Sequence, residues 1–357
     1  MIGISPPPPI TRATGVVPGG YDRVASTMAL APLLKQFEVS LDSLLTESGL
    51  PIGLFEHPDN LIPFREGTRL LGLCADRTGC PHFGLLMGDA TPLEAYGIVG
   101  ELMKSAADVR AALQLMCRFM TLADGGGLLT LSETSQFASF SYMVYEPGVE
   151  RTEVLGDNVL AVSCSVLRAL CGHKWRPHEI LLSRSRPADI QPYAQILKAP
   201  LRFDVEQSAV VFERAWLDAP LVTADADRLH NLEAKARALE ASETGDLVAQ
   251  VRRVVRRQLL AGTCTMKSVA AELNMHRRTL DRQLQPFGLA FKTLSDEIRY
   301  EVARQLLADT AMSVIAISQS LHYADPSAFT HAFRRWSGTT PTRWRESARR
   351  HLHSLFA

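Results

Sequence analysis

Apolar side chains recur at helical spacing in two short segments near the C-terminal end of the chain. Val314, Ile317 and Leu321 share one face of the first segment, and Phe329 and Phe333 share one face of the second. The other face of the second segment carries polar and basic side chains: Ser327, Thr330, His331, Arg334 and Arg335. Two short helices joined by a tight turn predict a helix-turn-helix, which places its second helix in a DNA major groove.

The same layout occurs upstream. Val269, Ala270 and Leu273 form a short apolar face, and Leu280 and Leu284 anchor the next predicted helix. The exposed side of that helix carries mainly charged residues: His276, Arg277, Arg278, Asp281 and Arg282. The turns at 273–275 and 321–323 align at an offset of 48 residues, so the chain contains two related units.

A long amphipathic segment lies between the two units, with Phe291, Leu294, Ile298, Val302 and Leu306 at spacings of three and four. A rigid helix there would fix the separation of the two outer helices. Helices about 34 Å apart contact successive major-groove segments on one face of the duplex. Residues 246–357 are therefore predicted to form an all-α DNA-binding domain, with two helix-turn-helix units joined by a long helix.

This domain resembles the DNA-binding domain of AraC/XylS-type transcription regulators, most clearly over residues 313–341 and at 344–345. The order, spacing and aromatic anchors agree with that family. Three residues depart from its usual pattern: His322 stands in place of a turn glycine, His331 in place of an arginine and Ser318 in place of an alanine. A histidine at a turn that needs positive φ costs conformational energy.

Helix geometry gives the exposed residues different expected roles. Arg278, Asp281 and Arg282 lie at i, i+3 and i+4. Arginine bonds to guanine and aspartate accepts from cytosine, so these side chains suit contacts with base edges. Their counterparts in the second unit are shorter. We therefore expect the first unit to carry more base specificity and the second to rely on phosphate contacts through Arg334 and Arg335.

The N-terminal half mixes helical and alternating patterns. Helical patterns cover residues 21–37, 41–48, 64–78, 93–105, 107–122 and 154–172. Alternation predicts a β-hairpin over 128–131 and 137–144, followed by short strands at 179–183, 201–203 and 209–212. These elements predict an α+β sensor domain over residues 21–221. Residues 1–20 are expected to be a disordered leader, and residues 222–245 a helical linker.

The order of these elements resembles the arabinose-binding-like sensor domain of one AraC-type branch. The matching features lie at residues 97–100, 118–120, 172–177, 192–193, 201–203 and 211–212. The two resemblances together span nearly the whole chain. They imply a regulator that responds to a small-molecule effector, although that effector need not be arabinose.

One charged residue of the N-terminal half lies among apolar neighbours. Arg118 follows Leu115 and Met116 on a predicted helix that precedes the aromatic hairpin. A charge in apolar surroundings needs a partner, which could be an effector carboxylate or a neighbouring Asp or Glu. The candidate effector-binding residues are accordingly Arg118, Phe119, Phe140 and Tyr142.

The distribution of charge supports a DNA-binding end. Residues 247–357 contain 17 Lys and Arg against 8 Asp and Glu, a net charge of +9, so the preceding 246 residues carry −9 because the whole chain is neutral. A basic domain on an acidic body is expected where only one end meets phosphates. The arginines between 252 and 257 suit either a solvated helix face or phosphate contacts.

Other classes of function lack their signatures. The chain has no dinucleotide fingerprint, phosphate loop, nucleophile elbow or His-Glu-x-x-His motif, which disfavours an enzyme. Six scattered cysteines without a Cys-x-x-Cys pair favour buried thiols over a metal site, with redox sensing as the minority alternative. No membrane span is expected, because Arg168 interrupts the most apolar helix. No cofactor or metal is expected either.

The sequence thus predicts a cytoplasmic transcription regulator that binds double-stranded DNA as a homodimer. A small-molecule effector would shift it between conformations that differ in DNA affinity. The family resemblance alone favours an activator, with RNA polymerase as a further partner. In the alternative hypothesis the N-terminal domain serves only for dimerisation or contact with a protein partner. An enclosed pocket in that domain, or its absence, discriminates between the two.

Overall fold

The computed structural model describes residues 9–146, 148–241, 247–260, 262–309 and 312–346. The chain divides into two compact units, residues 1–243 and residues 244–357. Each unit has its own hydrophobic interior and is described by itself below.

The first unit combines helices with short strands. Its described helices are α1 (Leu30–Gln36), α2 (Leu41–Glu47), α3 (Phe64–Thr78), α4 (Phe83–Ala90), α5 (Ile98–Ser105), α6 (Val109–Phe119), α7 (Thr152–Cys171), α8 (Gln191–Leu197) and α9 (Ala226–Ala241). Its described strands are β1 (Tyr21–Arg23), β2 (Leu61–Pro63), β3 (Gly127–Glu133), β4 (Phe137–Val144), β5 (Glu179–Leu181), β6 (Leu201–Arg202) and β7 (Ala209–Glu213).

Five strands form one mixed sheet in the order β3-β4-β7-β5-β6, in which only β5 and β6 are parallel. The predicted hairpin is confirmed, with Leu128 opposite Met143 and Leu131 opposite Phe140. Alternation along β4 buries Ala138 and Phe140 while their neighbours stay partly exposed. The sheet therefore presents one apolar face to the helices, as an antiparallel sheet with one covered side does.

The central helix of the first unit is α7, which packs along α4. Gly84 and Gly88 allow this close approach, because a Cβ built on either would lie 2.2 Å from a backbone oxygen of α7. Contrary to the expectation from the sequence, α7 is long and apolar enough to cross a membrane. Half of its apolar stretch is buried inside the unit, against α3, α4, α8 and two strands, so the core of the unit accounts for its composition.

Much of the predicted disordered leader is packed onto the first unit. Val16 and Val17 are buried, and Ala13 N donates to the Asp59 carbonyl oxygen (2.9 Å). Residues 1–8 lie outside the described part. The expectation of a disordered leader is therefore wrong where this segment packs, because Val16 and Val17 are buried, whereas Ile10 stays exposed.

The helix predicted over residues 21–37 begins only at Leu30. Tyr21–Arg23 pairs with β2 as a strand, and Asp22 forms a backbone bridge with Asp124. Arg23 fixes this strand by donating to the Leu122 carbonyl oxygen (2.6 Å). Tertiary hydrogen bonds thus override a helical pattern, and they bring Asp22 to the interior of the unit.

Most of the segment predicted as a linker belongs to the first unit. α9 packs against α5, and its Ala236 is fully buried. Arg228, near the start of α9, pairs with Glu101 of α5. Residues 242–246 lie outside the described part, so the described structure of this segment is a docked helix.

Every secondary-structure element described in the second unit is a helix. Its helices are α10 (Leu247–Leu260), α11 (Met266–Glu272), α12 (Arg277–Leu284), α13 (Phe291–Asp309), α14 (Val314–Ser320) and α15 (Pro326–Ser337). Leu294 and Ile298 of α13 are fully buried, as are Leu280, Phe329 and Phe333. α13 therefore supplies apolar residues to the core between the pairs α11–α12 and α14–α15.

Candidate nucleic-acid interface and effector cavity

The first helix pair, α11 and α12, is held by local hydrogen bonds. The Thr265 hydroxyl accepts from Ser268 N (3.0 Å), and the Ser268 hydroxyl accepts from Thr265 N (2.9 Å), which together form a capping box. Asn274 makes the turn in a left-handed conformation (φ 53°), which asparagine tolerates. Leu280 and Leu284 then bury the inner face of α12, leaving its outer face open.

The outer face of α12 carries the residues that the sequence predicts for base contacts. The exposed side chains are Arg277, Arg278, Asp281 and Arg282. Within the described part of the chain, none of these arginines forms an ion pair, so their N–H donors remain available. Arg278 and Arg282 lie one turn apart, beside Asp281, and form a cationic surface with one acceptor.

The second helix pair, α14 and α15, is bounded by three signals. Ser313 and Asp325 cap the two helices by accepting a backbone N–H three residues on (3.1 and 2.8 Å). Gly338 ends α15 in a left-handed conformation (φ 74°). Phe329 and Phe333 bury the inner face, so the orientation of α15 is set by aromatic packing.

The outer face of α15 is polar, but more of its side chains contact other groups of the protein than do those on α12. Its exposed side chains are Ser327, His331, Arg334 and Arg335. Thr330 is half-buried, and its hydroxyl donates to the Pro326 carbonyl oxygen (2.9 Å). Arg335 approaches Asp296 at 3.7 Å, and an exposed pair of this kind contributes little to stability.

His322 occupies the turn of the second pair at the position equivalent to Asn274. Its φ is 55°, so the strain expected where the family has glycine is present. The His322 ring compensates through Nε2, which lies 3.2 Å from the Leu260 carbonyl oxygen. A Cβ on Gly262 would lie 2.6 Å from this ring. The departure from the family pattern thus ties this turn to the end of α10.

Three arginines of α10 form ion pairs within the second unit. Arg252 pairs with Glu297 (2.6 Å) and Glu301 (3.3 Å) of α13, and Arg256 pairs with Glu301 (3.0 Å). Arg257 is nearly buried and pairs with a glutamate of α11. These ion pairs favour a structural role for α10 over phosphate contacts.

A cavity lies inside the first unit, lined by α3, α6, α7 and strands β1, β3 and β4. Its volume is ≈ 80 Å³. One buried water needs only about 10–15 Å³, so the cavity has room for a small organic molecule. The polar side chains in its wall include Asp22, Tyr96, Asp124, Tyr142 and Asn158.

Asp124 is held as an acceptor by three donors. Its Oδ1 accepts from Gly126 N (2.7 Å) and Gly127 N (3.0 Å), and its Oδ2 accepts from the Tyr142 hydroxyl (2.5 Å). Gly127 is required here, because a Cβ would lie 1.9 Å from the Tyr142 hydroxyl oxygen. These three donors fix Asp124 as a hydrogen-bond acceptor in the cavity wall.

Asp22 lies beside Asp124 with very different partners. Its Oδ1 is enclosed, and no donor among the described residues reaches it, apart from a proton that the two carboxyl groups can share. Burial, and then the neighbouring Asp124 carboxylate, raise the pKa of Asp22 well above its usual range. Burial likewise raises the pKa of Tyr96 and Tyr142. Asp22 is therefore the member of the pair whose neutral form burial favours.

Comparison with known families matches both units. The family described as the arabinose-binding domain of AraC transcription regulator, N-terminal, matches residues 39–221, just over half of the chain. The chain belongs to the AraC family. A helix-turn-helix domain family matches residues 269–347, which include both helix pairs from Val269 onward. The chain is therefore a DNA-binding transcription regulator and not an enzyme.

Two relatives align along nearly all of this AraC-family chain. VirS of Mycobacterium tuberculosis, an HTH-type transcriptional regulator, is 25% identical over 331 residues, covering 92% of this chain and 97% of VirS. The ornithine utilization regulator of Pseudomonas aeruginosa is 24% identical over 327 residues, covering 91% of this chain and 96% of that regulator. The crystal structure of the transcriptional regulator CdpR from Pseudomonas aeruginosa matches with a TM-score of 0.45 and 22% identity, covering 89% of this chain and 98% of that one.

Among the four residues predicted to bind an effector, only Tyr142 lines the cavity of the first unit. Phe119 and Phe140 are buried in the core. Arg118 forms a bidentate ion pair with Glu240 of α9 (2.8 and 3.0 Å) and lies 4.6 Å from the Phe119 ring centre. The expected site is corrected accordingly, because the charge of Arg118 is balanced by a glutamate of the same unit.

The polar cavity residues Asp22, Tyr96, Asp124 and Asn158 were not among the residues predicted from the sequence. One signal could have indicated Asp124, which is followed directly by three glycines. A short acidic side chain accepts from backbone N–H groups two and three residues on, and glycines allow the close approach. No local pattern pointed to Asp22, because its partner lies far along the chain.

Three cysteines of the first unit are shielded from solvent. Burial raises the pKa of Cys74, Cys164 and Cys171 to about 12. Thiols of this kind stay protonated and react slowly. Among the residues that the structure describes, no group of three or more His, Cys, Asp or Glu side chains could hold a metal ion.

Proposed function

We propose that the second unit binds double-stranded DNA through two helix-turn-helix units, with α12 and α15 in successive major-groove segments. The carrying observation is the exposed arginine face of α12, where Arg277, Arg278 and Arg282 make no ion pair within the described residues. α13 has 19 residues, about 28 Å at a rise of ~1.5 Å each. That length is compatible with helices about 34 Å apart, one turn of DNA.

The two outer helices have different roles in this proposal. Arg278, Asp281 and Arg282 contact base edges, as bidentate and acceptor side chains do. On α15, Ser327, Thr330 and His331 are shorter, and the Thr330 hydroxyl already donates within its own helix. α15 therefore relies on phosphate contacts through Arg334 and Arg335, which position the protein without selecting a sequence.

Arg282→Ala is expected to remove discrimination at one base pair. The cognate site would be recovered first by selection from a genomic fragment library, followed by titration of single-base variants. We expect the difference in binding free energy between the preferred base and its replacement to fall by about 1–3 kcal/mol at one position. The reason is loss of a bidentate donor to guanine.

Lys267→Ala is the matched control, because it removes one exposed positive charge from α11. It is expected to weaken cognate and variant sites by the same factor and to leave discrimination intact. If Arg282→Ala also weakened all sites equally, Arg282 would be a phosphate contact and the proposed role of α12 would fail.

We further propose that a small molecule bound in the cavity of the first unit controls DNA binding. The cavity, with two aspartates in its wall, supports this function over the alternative of a module for dimerisation or protein contact only. The test compares DNA binding of the full chain with and without a small-molecule cell extract. An unchanged affinity in every extract fraction would favour the alternative.

Helix α6 links this cavity to the end of the first unit. Met116 and the adjoining Met120 contribute to the cavity wall, and Arg118 lies between them in sequence. Arg118 pairs with Glu240, in the last turn of α9, just before the segment that leads to the second unit. In this proposal a ligand that displaces α6 weakens or strengthens the ion pair that holds α9. The protein then has two conformations, with α9 held and with α9 released, and the ligand changes DNA binding because its affinity for the two differs.

Arg118→Ala is expected to uncouple ligand binding from DNA binding. The extract-induced change in DNA affinity, typically 5–150-fold for allosteric regulators, should fall below about twofold. Extract should still raise the thermal midpoint of the first unit, because Arg118 does not line the cavity. Arg237→Ala, which removes an exposed i,i+4 ion pair on α9, is the control and should leave coupling unchanged.

The double variant Arg118→Glu with Glu240→Arg exchanges the two charges and should restore the coupling that Arg118→Ala removes. If the Arg118→Ala protein kept the full change in DNA affinity, the Arg118–Glu240 pair would not be the connection between ligand and DNA binding.

The wider role follows from family membership. We infer a cytoplasmic homodimer that acts as an activator, with RNA polymerase as its further partner. A reporter gene placed downstream of the recovered site tests the sign of regulation. Expression that falls when the regulator is supplied would make it a repressor.

A further inference from the structure

The cavity of the first unit is lined by acidic side chains and, among the described residues, by no basic ones. Asp22 and Asp124 are its acidic residues, and Tyr96 and Tyr142 add two phenolic hydroxyls. No Lys, Arg or His among the described residues lines it. An anionic ligand would meet a carboxylate in surroundings where charge is poorly screened. The carboxylate effector considered for Arg118 is therefore disfavoured at this site.

The two aspartates complement each other. Asp124 accepts hydrogen bonds on both of its carboxyl oxygens at 2.5–3.0 Å. Asp22 Oδ1 is enclosed and lacks such donors among the described residues. A buried acceptor without a donor is costly, and a ligand with several N–H groups would satisfy it.

We propose that this cavity binds a small organic cation, a primary amine with an apolar body. The proposal deepens the effector function given above and rests on it. The ammonium group bonds to the Asp22 and Asp124 carboxylates, and the proton that the pair shares leaves to solvent. The carbon skeleton packs against the apolar wall: Leu71, Met87, Met116, Met120, Leu129 and Val162. Methionines adapt their shape readily, which suits a site that closes around a flexible ligand.

Three six-carbon compounds test the preference for charge. Hexylamine, hexanol and hexanoate share an apolar chain and differ in the charge of the head group. In calorimetric titrations of the full chain, we expect hexylamine to bind at least tenfold more tightly than hexanol, and hexanoate to show no binding. The ammonium gains two carboxylate contacts, whereas the hexanoate head group is repelled.

Asp22→Asn is the decisive variant. It preserves the shape of Asp22 and replaces a carboxyl group whose buried Oδ1 has no hydrogen-bond donor among the described residues, so the unit should still fold. The preference for hexylamine over hexanol should fall below threefold. Glu206→Gln removes an exposed carboxylate of the same unit and should keep the tenfold preference. Asp124→Asn should also abolish the preference, although it disturbs three hydrogen bonds and is expected to lower stability.

Equal binding of hexylamine and hexanol, preference for hexanoate, no binding by any of the three, or a preference that survives Asp22→Asn would overturn the cation proposal. The effector function is judged separately. An extract that changes DNA binding, combined with no preference for the amine, would leave effector control intact and remove only the cation. An extract series without effect on DNA binding would overturn effector control itself.

Discussion

Gly88→Ala is expected to destabilise the first unit by about 3 kcal/mol, the upper part of the usual range for an overpacked core. The added Cβ would lie 2.2 Å from the Asn158 carbonyl oxygen and 2.8 Å from the Ala161 Cβ. Both atoms belong to α7, and a backbone oxygen cannot turn away as a flexible side chain can. α4 and α7 must therefore separate. Urea unfolding of the full chain, followed by circular dichroism, measures the loss as a lower midpoint for one of two transitions.

Gly156→Ala provides the matched control on α7 itself. A Cβ at this position has only the Ser208 hydroxyl oxygen nearby, at 3.8 Å. Alanine is favoured over glycine in a helix interior, so the variant should be more stable by about 0.5–1 kcal/mol. Because Asn158 also lines the cavity, Gly88→Ala should weaken ligand binding, whereas Gly156→Ala should not. A loss below about 0.5 kcal/mol for Gly88→Ala would contradict the close approach of the two helices.

The second unit could be predicted well because its information is local. Apolar residues at helical spacing, capping side chains at Thr265, Ser313 and Asp325, and turn residues at 274 and 322 all act within a few residues. The exposed face of α12 follows from the same periodicity, since burial of Leu280 and Leu284 directs the arginines outward. What the sequence could not reveal is the Leu260 carbonyl that receives the His322 ring.

The first unit depends on contacts between distant parts of the chain. Tyr21–Arg23 has a helical pattern but forms a strand, because its partners lie in β2 and beside Asp124. Asp22 and Asp124 are more than a hundred residues apart, and no spacing rule links them. The cavity was for that reason beyond prediction, although the sequence did identify Tyr142, whose position on the hairpin faces it.

The need of Arg118 for a counter-charge could be predicted from the sequence, but the identity of its partner could not. A buried or half-buried charge requires a counter-charge, and the sequence correctly indicated that need. It could not choose between ligand and protein, since Glu240 is 122 residues away. The ion pair between Arg118 and Glu240 connects α6 with α9. Arg118→Ala is therefore expected to change the effect of ligand on DNA affinity and not the binding of ligand itself.

Phe333→Ala is expected to destabilise the second unit by about 3–5 kcal/mol, as for other fully buried phenylalanines. The Phe333 side chain is completely buried, and its ring centre lies 5.5 Å from that of Tyr300, 5.8 Å from Phe329 and 6.2 Å from Trp344. Its removal leaves a cavity where α13, α15 and the chain after α15 meet. A single domain has only about 5–15 kcal/mol of stability, so a large fraction would be lost.

Calorimetry of the full chain tests this expectation, because the two units should unfold separately. Phe333→Ala should lower the transition of the second unit by roughly 15 °C and leave that of the first unchanged. Ile315→Ala on α14 is the control: its side chain is 56% exposed, and the change should stay within about 0.5 kcal/mol. DNA binding should fail at temperatures where the first unit still binds its ligand. Equal shifts of both transitions would mean that the two units unfold together, contrary to their separate cores.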